Sequence, residues 1–597
     1  MGSQFKVPKG TEEGFYASIR FNKPFTADID FYVNECNRII GDLNESLKHH
    51  NLPSFGGGML RGNSSDTIVS ATIAHRVSSK FCRPEPSLQA ALGRACSKDW
   101  IEFESNLASF DFYKSIAAAG EFRREVRLAL YKARHMLHDW FKDFKPCKGI
   151  EITPGETFIS QKGHVSVRAK LQRRCHWTVT HDAVDDFIRL VYNTRWLKKC
   201  AKRFFKPLTR KENFKLRMKC DGSRHIGFQV FSMRMRNEVL TVVYGSRGSS
   251  VPKNNEKRRF INVEPLGNVI LQRSVAGTIR RTLANHGNNL SIGQDVHKSR
   301  IAYSGVSTID FSNASDSVLT QVCEFLLPPN LMKYLHRYRS EFVLVDGVFH
   351  APHKLSSMGN GFTFEVMTAI LLALSRTLDK SATVYGDDVI IANKHANVFV
   401  EAARCIAFNV NPKKSFINQP FRESCGAFYM EGYGYITCYD FHYCESMQDV
   451  IITANKMRKI IQSNPDLMIT PDFRAAYAAL LRAIPALFKG PVSSNLKTLQ
   501  SNWVEDDHYQ RKHMKGPRQR SLFKKLMDKE RSEVLSKISV FNCHTDWVLI
   551  AIPRYVPDLS YDTLYRTRSA SAIGSYLYSN RVVDAERRNH GTWMMEL

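Results

Sequence analysis

Thr383-Val384-Tyr385-Gly386-Asp387-Asp388-Val389-Ile390-Ile391 sets two adjacent carboxylates between two short β-branched runs. Such runs read as strands, and a Gly-Asp pair between them reads as a tight hairpin turn. The turn holds both carboxylates at one exposed tip. Like charges so close repel strongly unless a cation lies between them. Oxygen ligands of this kind suit a hard divalent cation such as magnesium, which is held by few carboxylates plus substrate phosphates. Taken alone, an Asp-Asp pair is more often a polar turn of no chemical consequence; its surroundings decide.

Upstream lies Ser307-Thr308-Ile309-Asp310-Phe311-Ser312-Asn313-Ala314-Ser315-Asp316-Ser317, a short strand running into Asp310, then small polar residues suited to a turn and a helix start. Asp310 reaches the Asp387-Asp388 tip if the two elements pair in one sheet. Three carboxylates would then hold two divalent ions of the kind that stabilise an in-line displacement. Between these elements runs Ser356-Ser357-Met358-Gly359-Asn360-Gly361-Phe362-Thr363, followed by an apolar helix through Leu374. Glycines let a backbone approach a bound strand, and Asn can read a sugar hydroxyl. Before Asp310 stands a basic segment, Val251 to Arg259 with Lys253, Lys257 and Arg259, suited to a triphosphate. After the hairpin come Lys413 and Lys414, then Phe421-Arg422-Glu423-Ser424-Cys425-Gly426. Each has a plainer reading: Asp316 as a helix cap, the lysines as a solvated pair, Arg422 and Glu423 as a surface ion pair, Cys425 as core filler.

The 597 residues suffice for about three or four domains or one multi-lobed enzyme. Apolar residues make up 43%, so a sizeable core is feasible. Lys plus Arg number 85 against 57 acidic residues, and the resulting +28 charge predicts a polyanionic partner, nucleic acid before membrane. Met367 to Leu374 is among the longest apolar runs and is far too short to span a bilayer, and the N-terminus lacks an apolar signal region. Cysteines are scattered without a CxxC pair; Cys438, His442 and Cys444 resemble half of a zinc corner, and free thiols in a reducing cytosol are the simpler account. A helix-like stretch runs from Phe122 to Phe144. Lys198, Lys199, Lys202, Arg203 and Lys206 interleave with Trp196, Phe204 and Phe205, and Arg210 to Lys219 continue the cluster. That pattern suits phosphate contact plus base stacking, and equally a solvated helix face. The block Arg511 to Arg531, with Lys524 and Lys525, reads as an RNA-gripping loop leading into a helix from about Ser521, with a solvated surface loop or a contact for an acidic host protein as the alternatives.

The order of these segments resembles the palm of an RNA-dependent RNA polymerase, and more closely the replicases of single-stranded RNA bacteriophages, the leviviral or Q-beta type. TIDFSNASDS, FLLPP (325–329), SSMGNGFTFE, VYGDD, KKSF and FRESCG carry the resemblance, with VPKNN and Glu264-Pro265 adding to it, over roughly 250–445. It implies an α+β, right-hand architecture: an N-terminal region and fingers over 1–300, a palm of antiparallel sheet plus helices over 301–440 with a fingers insertion near 330–355, and a mainly helical thumb with the C-terminal region over 441–597. It implies copying of an RNA template from ribonucleoside triphosphates in the cytoplasm of an infected bacterium. Asp310, Asp387 and Asp388 would ligate two magnesium ions, manganese being a substitute. Asp316 and Asn360 would sense the ribose 2′-hydroxyl. Lys253 and Arg259 would contact the triphosphate, with Lys257 a further candidate because Glu256 stands where relatives carry Lys. Met367 stands where the wider polymerase pattern has Asn, which leaves Asn360 the sugar role. Lys413 or Lys414 would protonate the leaving pyrophosphate. Ser356 to Gly361, Gly359 among them, would hold the template-nucleotide region, and Arg422 to Gly426 the nascent strand. Host elongation factors Tu and Ts, and a ribosomal RNA-binding protein, are implied partners that no motif here encodes. A reverse transcriptase would place an aromatic gate where Ser315 stands. A non-catalytic RNA-binding protein would explain the charge but not three carboxylates arranged for metal.

Overall fold

A computed structural model of the chain describes residues 25–82, 85–147, 151–152, 155–159, 167–172, 177–219, 225–254, 256–484, 489–490 and 504–506. Lys524, Lys525 and the rest of the Arg511–Arg531 block lie outside the described residues. The described residues of Met1–Ser54, Asp66–Pro84 and Thr437–Asn589 form one compact unit, and those of Phe55–Ser65 and Glu85–Ile436 a second. Among the described residues no helix is long and apolar enough to cross a membrane.

The first unit is mainly helical where described, with Phe25–Lys48, Ser65–Ser78, Met447–Ser463 and Thr470–Ala483 as its long elements and a short parallel pair, Lys489–Gly490 with Val504–Glu505. Ser446 starts the middle one with a capping box: its hydroxyl accepts from the Asp449 N–H, and the Asp449 carboxylate accepts from the Ser446 N–H. Cys36 and Cys444 pack with their sulfurs 3.8 Å apart, both buried.

The second unit mixes helices and sheets. Its helices that bear on the site are α1 (Pro86–Ala108), α2 (Arg123–Trp140), α3 (Leu266–Asn285), α4 (Gly293–Arg300), α5 (Thr363–Leu378) and α6 (Asn393–Arg404). Its strands that bear on the site are β1 (Gly245–Pro252), β2 (Arg258–Val263), β3 (Val306–Ile309), β4 (Phe342–Val345), β5 (Val348–His350), β6 (Thr383–Tyr385), β7 (Asp388–Ala392), β8 (Phe421–Ser424), β9 (Ala427–Met430) and β10 (Gly434–Tyr435). They form three sheets, ordered β2-β1-β4-β5, β3-β7-β6 and β8-β9-β10. Helix α5 is buried from Glu365 to Ser375 without interruption, as an all-round apolar helix must be. It packs against α2, α3, α6 and β6, and so forms the floor under the β6–β7 hairpin.

No boundary falls at 300. Strand β1 pairs parallel with β4, Gly245 opposite Phe342, so segments on either side of that position share one sheet. Within the stretch 330–355, Phe342–Val345 and Val348–His350 form the β4–β5 half of the same sheet.

The aromatics in the first basic cluster are not stacking platforms. Trp196 is buried. The Phe204 ring lies 6.0 Å from Trp177, and the Phe205 ring 5.5 Å from Phe231. The amphipathic helix Arg195–Lys202 turns Trp196, Leu197 and Ala201 inward and leaves Arg195, Lys199 and Lys202 exposed.

Candidate active site

The hairpin is built by its glycine. Tyr385 pairs with Asp388, leaving Gly386 and Asp387 as a two-residue loop. Gly386 has φ 68°, the left-handed value needed at the first central position of a II′ hairpin turn. A Cβ there would also lie 2.5 Å from the Phe364 ring. The Gly386 N–H donates to Thr368 Oγ1 at 3.0 Å, pinning the turn to α5.

Strand β7 pairs antiparallel with β3, Val389 opposite Ile309. One residue further along each strand, Asp388 and Asp310 face each other across the ladder. Asp310 is 8% exposed and held on three sides. Its N–H donates to Ser415 Oγ at 3.0 Å, its carbonyl accepts from the Asn411 N–H, and its Oδ2 accepts from Asn411 Nδ2 at 2.8 Å. Asp388 Oδ2 accepts from the Cys425 N–H at 3.2 Å. Burial pushes the Asp388 carboxyl well above its ordinary range, and repulsion from Glu423, Asp387 and Asp310 adds to it. Burial likewise raises Asp310, with Asp387 adding and Lys414, the Asn411 bond and Lys253 opposing. Crowded carboxylates that resist ionisation fit a cation, which would relieve both desolvation and repulsion. Among the described residues no three His, Cys, Asp or Glu side chains close on one point tightly enough to hold a metal unaided. Asp310, Asp387 and Asp388 together make one acidic face, a donor set of hard oxygens of the kind that suits a divalent cation.

Cations ring this face. Lys253, just beyond β1, is lowered from the usual lysine value by burial and by Arg259, Lys414 and Lys257, with Asp310 opposing. That interaction puts Lys253 beside Asp310, with Arg259 and Lys257 as its basic neighbours. Lys257 shares its turn with Lys253, the Asn254 side chain accepting from the Lys257 N–H at 2.8 Å. For Lys414, burial lowers the ammonium, but Asp310, Glu423, Asp388 and Asp387 together outweigh it and the pKa is raised. Lys414 thus belongs to the acidic face. Lys413 instead packs its backbone beside Gly56.

Asp316 lies in a short 3-10 turn after β3, its side chain 21% exposed. Asn360 is turned inward. It is 9% exposed, its Oδ1 accepts from the Phe362 N–H at 3.1 Å, and its amide bonds the buried Glu264 carboxylate. Burial pushes Glu264 up to about 7, against bonds from Ser340, Gln272 and Asn360. An amide so engaged is not presented to a ligand, which leaves Asp316 the exposed member of the expected sugar-sensing pair. Ser356 is 3% exposed and therefore not presented to a template. Gly359 serves a close approach, but to the chain's own β2: at φ 102° its Cβ would meet the Asn262 carbonyl oxygen at 2.2 Å.

Arg422 requires correction more than any other residue. It is 2% exposed and cannot meet a nascent strand. Its guanidinium donates to the carbonyls of Val306 and Ile301 at 3.2 Å each and pairs with Glu431. It ties β8 to β3 and to the end of α4. Replacing it by Met leaves those carbonyls unpaired and should cost about 2–4 kcal/mol of stability. Urea unfolding would read that loss, and RNA affinity of the folded variant should be unchanged. A loss of RNA affinity at parental stability would return Arg422 to the nucleic-acid interface.

Glu423 has a different place from the surface ion pair or strand contact expected of it, and Asn411 and Ser415 carry no role in the sequence reading. Glu423 is 8% exposed and is the strongest electrostatic influence on Asp388. Asn411 and Ser415 position Asp310, and their place just around Lys413-Lys414 was the available signal.

The described site falls within a stretch that matches a known family. The profile of "RNA replicase, beta-chain" matches residues 214–548, more than half of the 597. The RNA-directed RNA polymerase subunit beta of Qbeta virus (strain MX1) is 35% identical over 257 residues, 41% of this chain and 43% of that one. Its counterpart from Escherichia virus Qbeta is 31% identical over 368 residues, covering 60% and 54%. The beta chain of Escherichia phage MS2 is 32% identical over 260 residues, covering 42% and 47%. The chain spans about half the length of the curated relatives it matches. Among solved structures, an insertion-loop deletion mutant of the RNA-dependent RNA polymerase of a human picorbirnavirus overlays 70% of this chain and 91% of its own at 13% identity, with a TM-score of 0.28, too loose a superposition to bear on the fold. The extent of the family match, centred on the hairpin and the strand opposite it, assigns the chain to the RNA replicase beta-chain family.

Proposed function

We propose that the chain is an RNA-directed RNA polymerase that copies a single-stranded RNA phage genome from ribonucleoside triphosphates, with the second unit supplying fingers and palm and the helical unit the thumb. The observation that carries this reading is the pairing of β3 with β7, which sets Asp310 opposite Asp388 beside Asp387. Two divalent ions held by Asp310, Asp387 and Asp388, magnesium foremost, would supply charge at the attacking and leaving oxygens of the displacement. Lys253, Arg259 and Lys257 draw the triphosphate to the acidic face and neutralise it. Lys414, kept protonated by the surrounding carboxylates, delivers a proton to the pyrophosphate oxygen as the bond breaks. Asp316 accepts from the 2′-hydroxyl of the incoming sugar. Positioning and charge, more than covalent chemistry by the protein, account for phosphoryl transfer of this kind.

The purified chain, given an RNA template, magnesium and labelled nucleotides, should extend product with ribonucleotides and scarcely with deoxyribonucleotides. Preference for deoxyribonucleotides would make it a reverse transcriptase, and RNA binding without incorporation a non-catalytic binder. Host elongation factors Tu and Ts, and the bacterial cytoplasm as the place of action, belong to the same proposal on the strength of the family resemblance; co-purification from host lysate tests them.

A further inference from the structure

A buried ammonium stands behind Asp316. Lys354 follows β5, and its side chain is 0% exposed. Its Nζ donates to Asp316 Oδ1 at 2.6 Å. The same Nζ lies 2.6 Å from Glu104 Oε1 and 4.7 Å from the centre of the Trp100 ring, both on α1. The ammonium thus stands between two carboxylates at the same short distance, Glu104 on one side and Asp316 on the other. Glu104 is itself anchored, its Oε2 accepting from the His353 N–H at 3.0 Å. The backbone is held as well: the Lys354 carbonyl accepts from Arg339 at 3.0 Å, and the Leu355 N–H donates to the Val318 carbonyl.

Burying an ammonium costs several kcal/mol, and a buried ion cluster is commonly no more stabilising than apolar packing of the same volume. Stability alone therefore gives little reason for a lysine here. The arrangement is also lopsided. Glu104 is 10% exposed, while Asp316 is 21% exposed. Asp316 Oδ1 is taken by Lys354, and among the described residues no hydrogen bond reaches Oδ2. One carboxylate oxygen is fixed from behind, and the other is free to accept.

We propose that Lys354 is a positioning residue for sugar discrimination. Clamped by Glu104 and Trp100, it fixes the Asp316 carboxylate so that Oδ2 accepts from the ribose 2′-hydroxyl of the incoming nucleotide. The inference rests on the reading of Asp316 given above and adds what gives that residue its selectivity. A carboxylate already held in one rotamer spends no ordering entropy on the hydroxyl, and when the hydroxyl is absent it cannot turn away to find another partner. Helix α1 also packs on β1 and β2, whose connecting turn carries Lys253 and Lys257. One helix thus backs both the sugar contact and the triphosphate contacts.

The test is single-nucleotide extension of an RNA primer–template by the full chain, comparing kcat/KM for a ribonucleotide and its 2′-deoxy analogue. Lys354→Met should lower the ribonucleotide value and barely move the deoxyribonucleotide value, so that the ratio falls by about tenfold or more. A purely structural lysine would lower both alike, and an unchanged ratio overturns the proposal. Asp316→Asn is measured in parallel. If Asp316→Asn keeps the parental ratio, the reading of Asp316 itself falls, and the positioning role with it. If Asp316→Asn loses the ratio and Lys354→Met keeps it, only the positioning role falls. Should Lys354→Met fail to fold, Glu104→Gln carries the test. It leaves the ammonium but loosens its clamp, and should lower the ratio by about threefold; a folded Glu104→Gln protein with the parental ratio overturns the proposal.

Discussion

Asp387→Asn and Asp388→Asn, like Asp310→Asn, should each cut RNA synthesis by about a thousandfold or more while the protein stays folded, since each removes charge that holds the cation stabilising the transferring phosphoryl group. Asp388→Asn carries a second expectation. Its carboxyl is pushed up by burial and by Glu423, Asp387 and Asp310. Removing one of these crowded charges relieves repulsion that the bare protein must bear. In a chelator the Asn variant should therefore melt no lower than the parent, and higher if its amide keeps the Cys425 N–H bond. Stability and activity move apart in this way at sites kept strained for function. A folded Asp387→Asn or Asp388→Asn protein that retains half of its activity would remove the acidic face from the chemistry.

Lys414→Leu should slow the rate at saturating nucleotide by about a hundredfold, within the usual range for a general acid. Lys413→Leu should do far less, because it is Lys414 that feels all the carboxylates of the site. A general acid works only while protonated, so the rate falls as pH rises through its pKa. The pKa of Lys414 is raised, which puts the parent's basic limb at or above the ordinary lysine range, and Lys414→Leu should lack that limb. A loss confined to KM, with the saturated rate intact, would make Lys414 an electrostatic attractor and not a proton donor.

The features legible in the sequence are local ones. The β6–β7 hairpin was legible because Gly386 and the β-branched runs beside it state their preferences within nine residues. The meeting of Asp310 with Asp388 was legible as soon as both strands were, since each carboxylate stands at the end of its run. Burial was not legible. Arg422 and Glu423 look like a surface pair in one dimension, yet each is buried by its fold neighbours, the first as a clamp on two carbonyls and the second as a fourth carboxylate beside Asp388. Gly359 announced a close approach, but nothing in its sequence said that the approaching backbone would be Asn262. Lys354 carries no local signal at all: its partners come from 38 and 250 residues away in the chain.

The parallel pairing of β1 with β4 also bears on how the molecule is made. About a hundred residues separate the two strands, and at about 5–20 residues per second a ribosome takes roughly 5–20 s to cover that distance. For that interval β1 and β2 exist as a hairpin whose inner edge has no neighbour, and an unpaired edge invites pairing with other chains. The sheet whose β1–β2 turn carries Lys253 and Lys257 is therefore late to be completed and open to aggregation during synthesis, so slower, cooler expression should raise the yield of soluble chain by acting on β1 before β4 arrives.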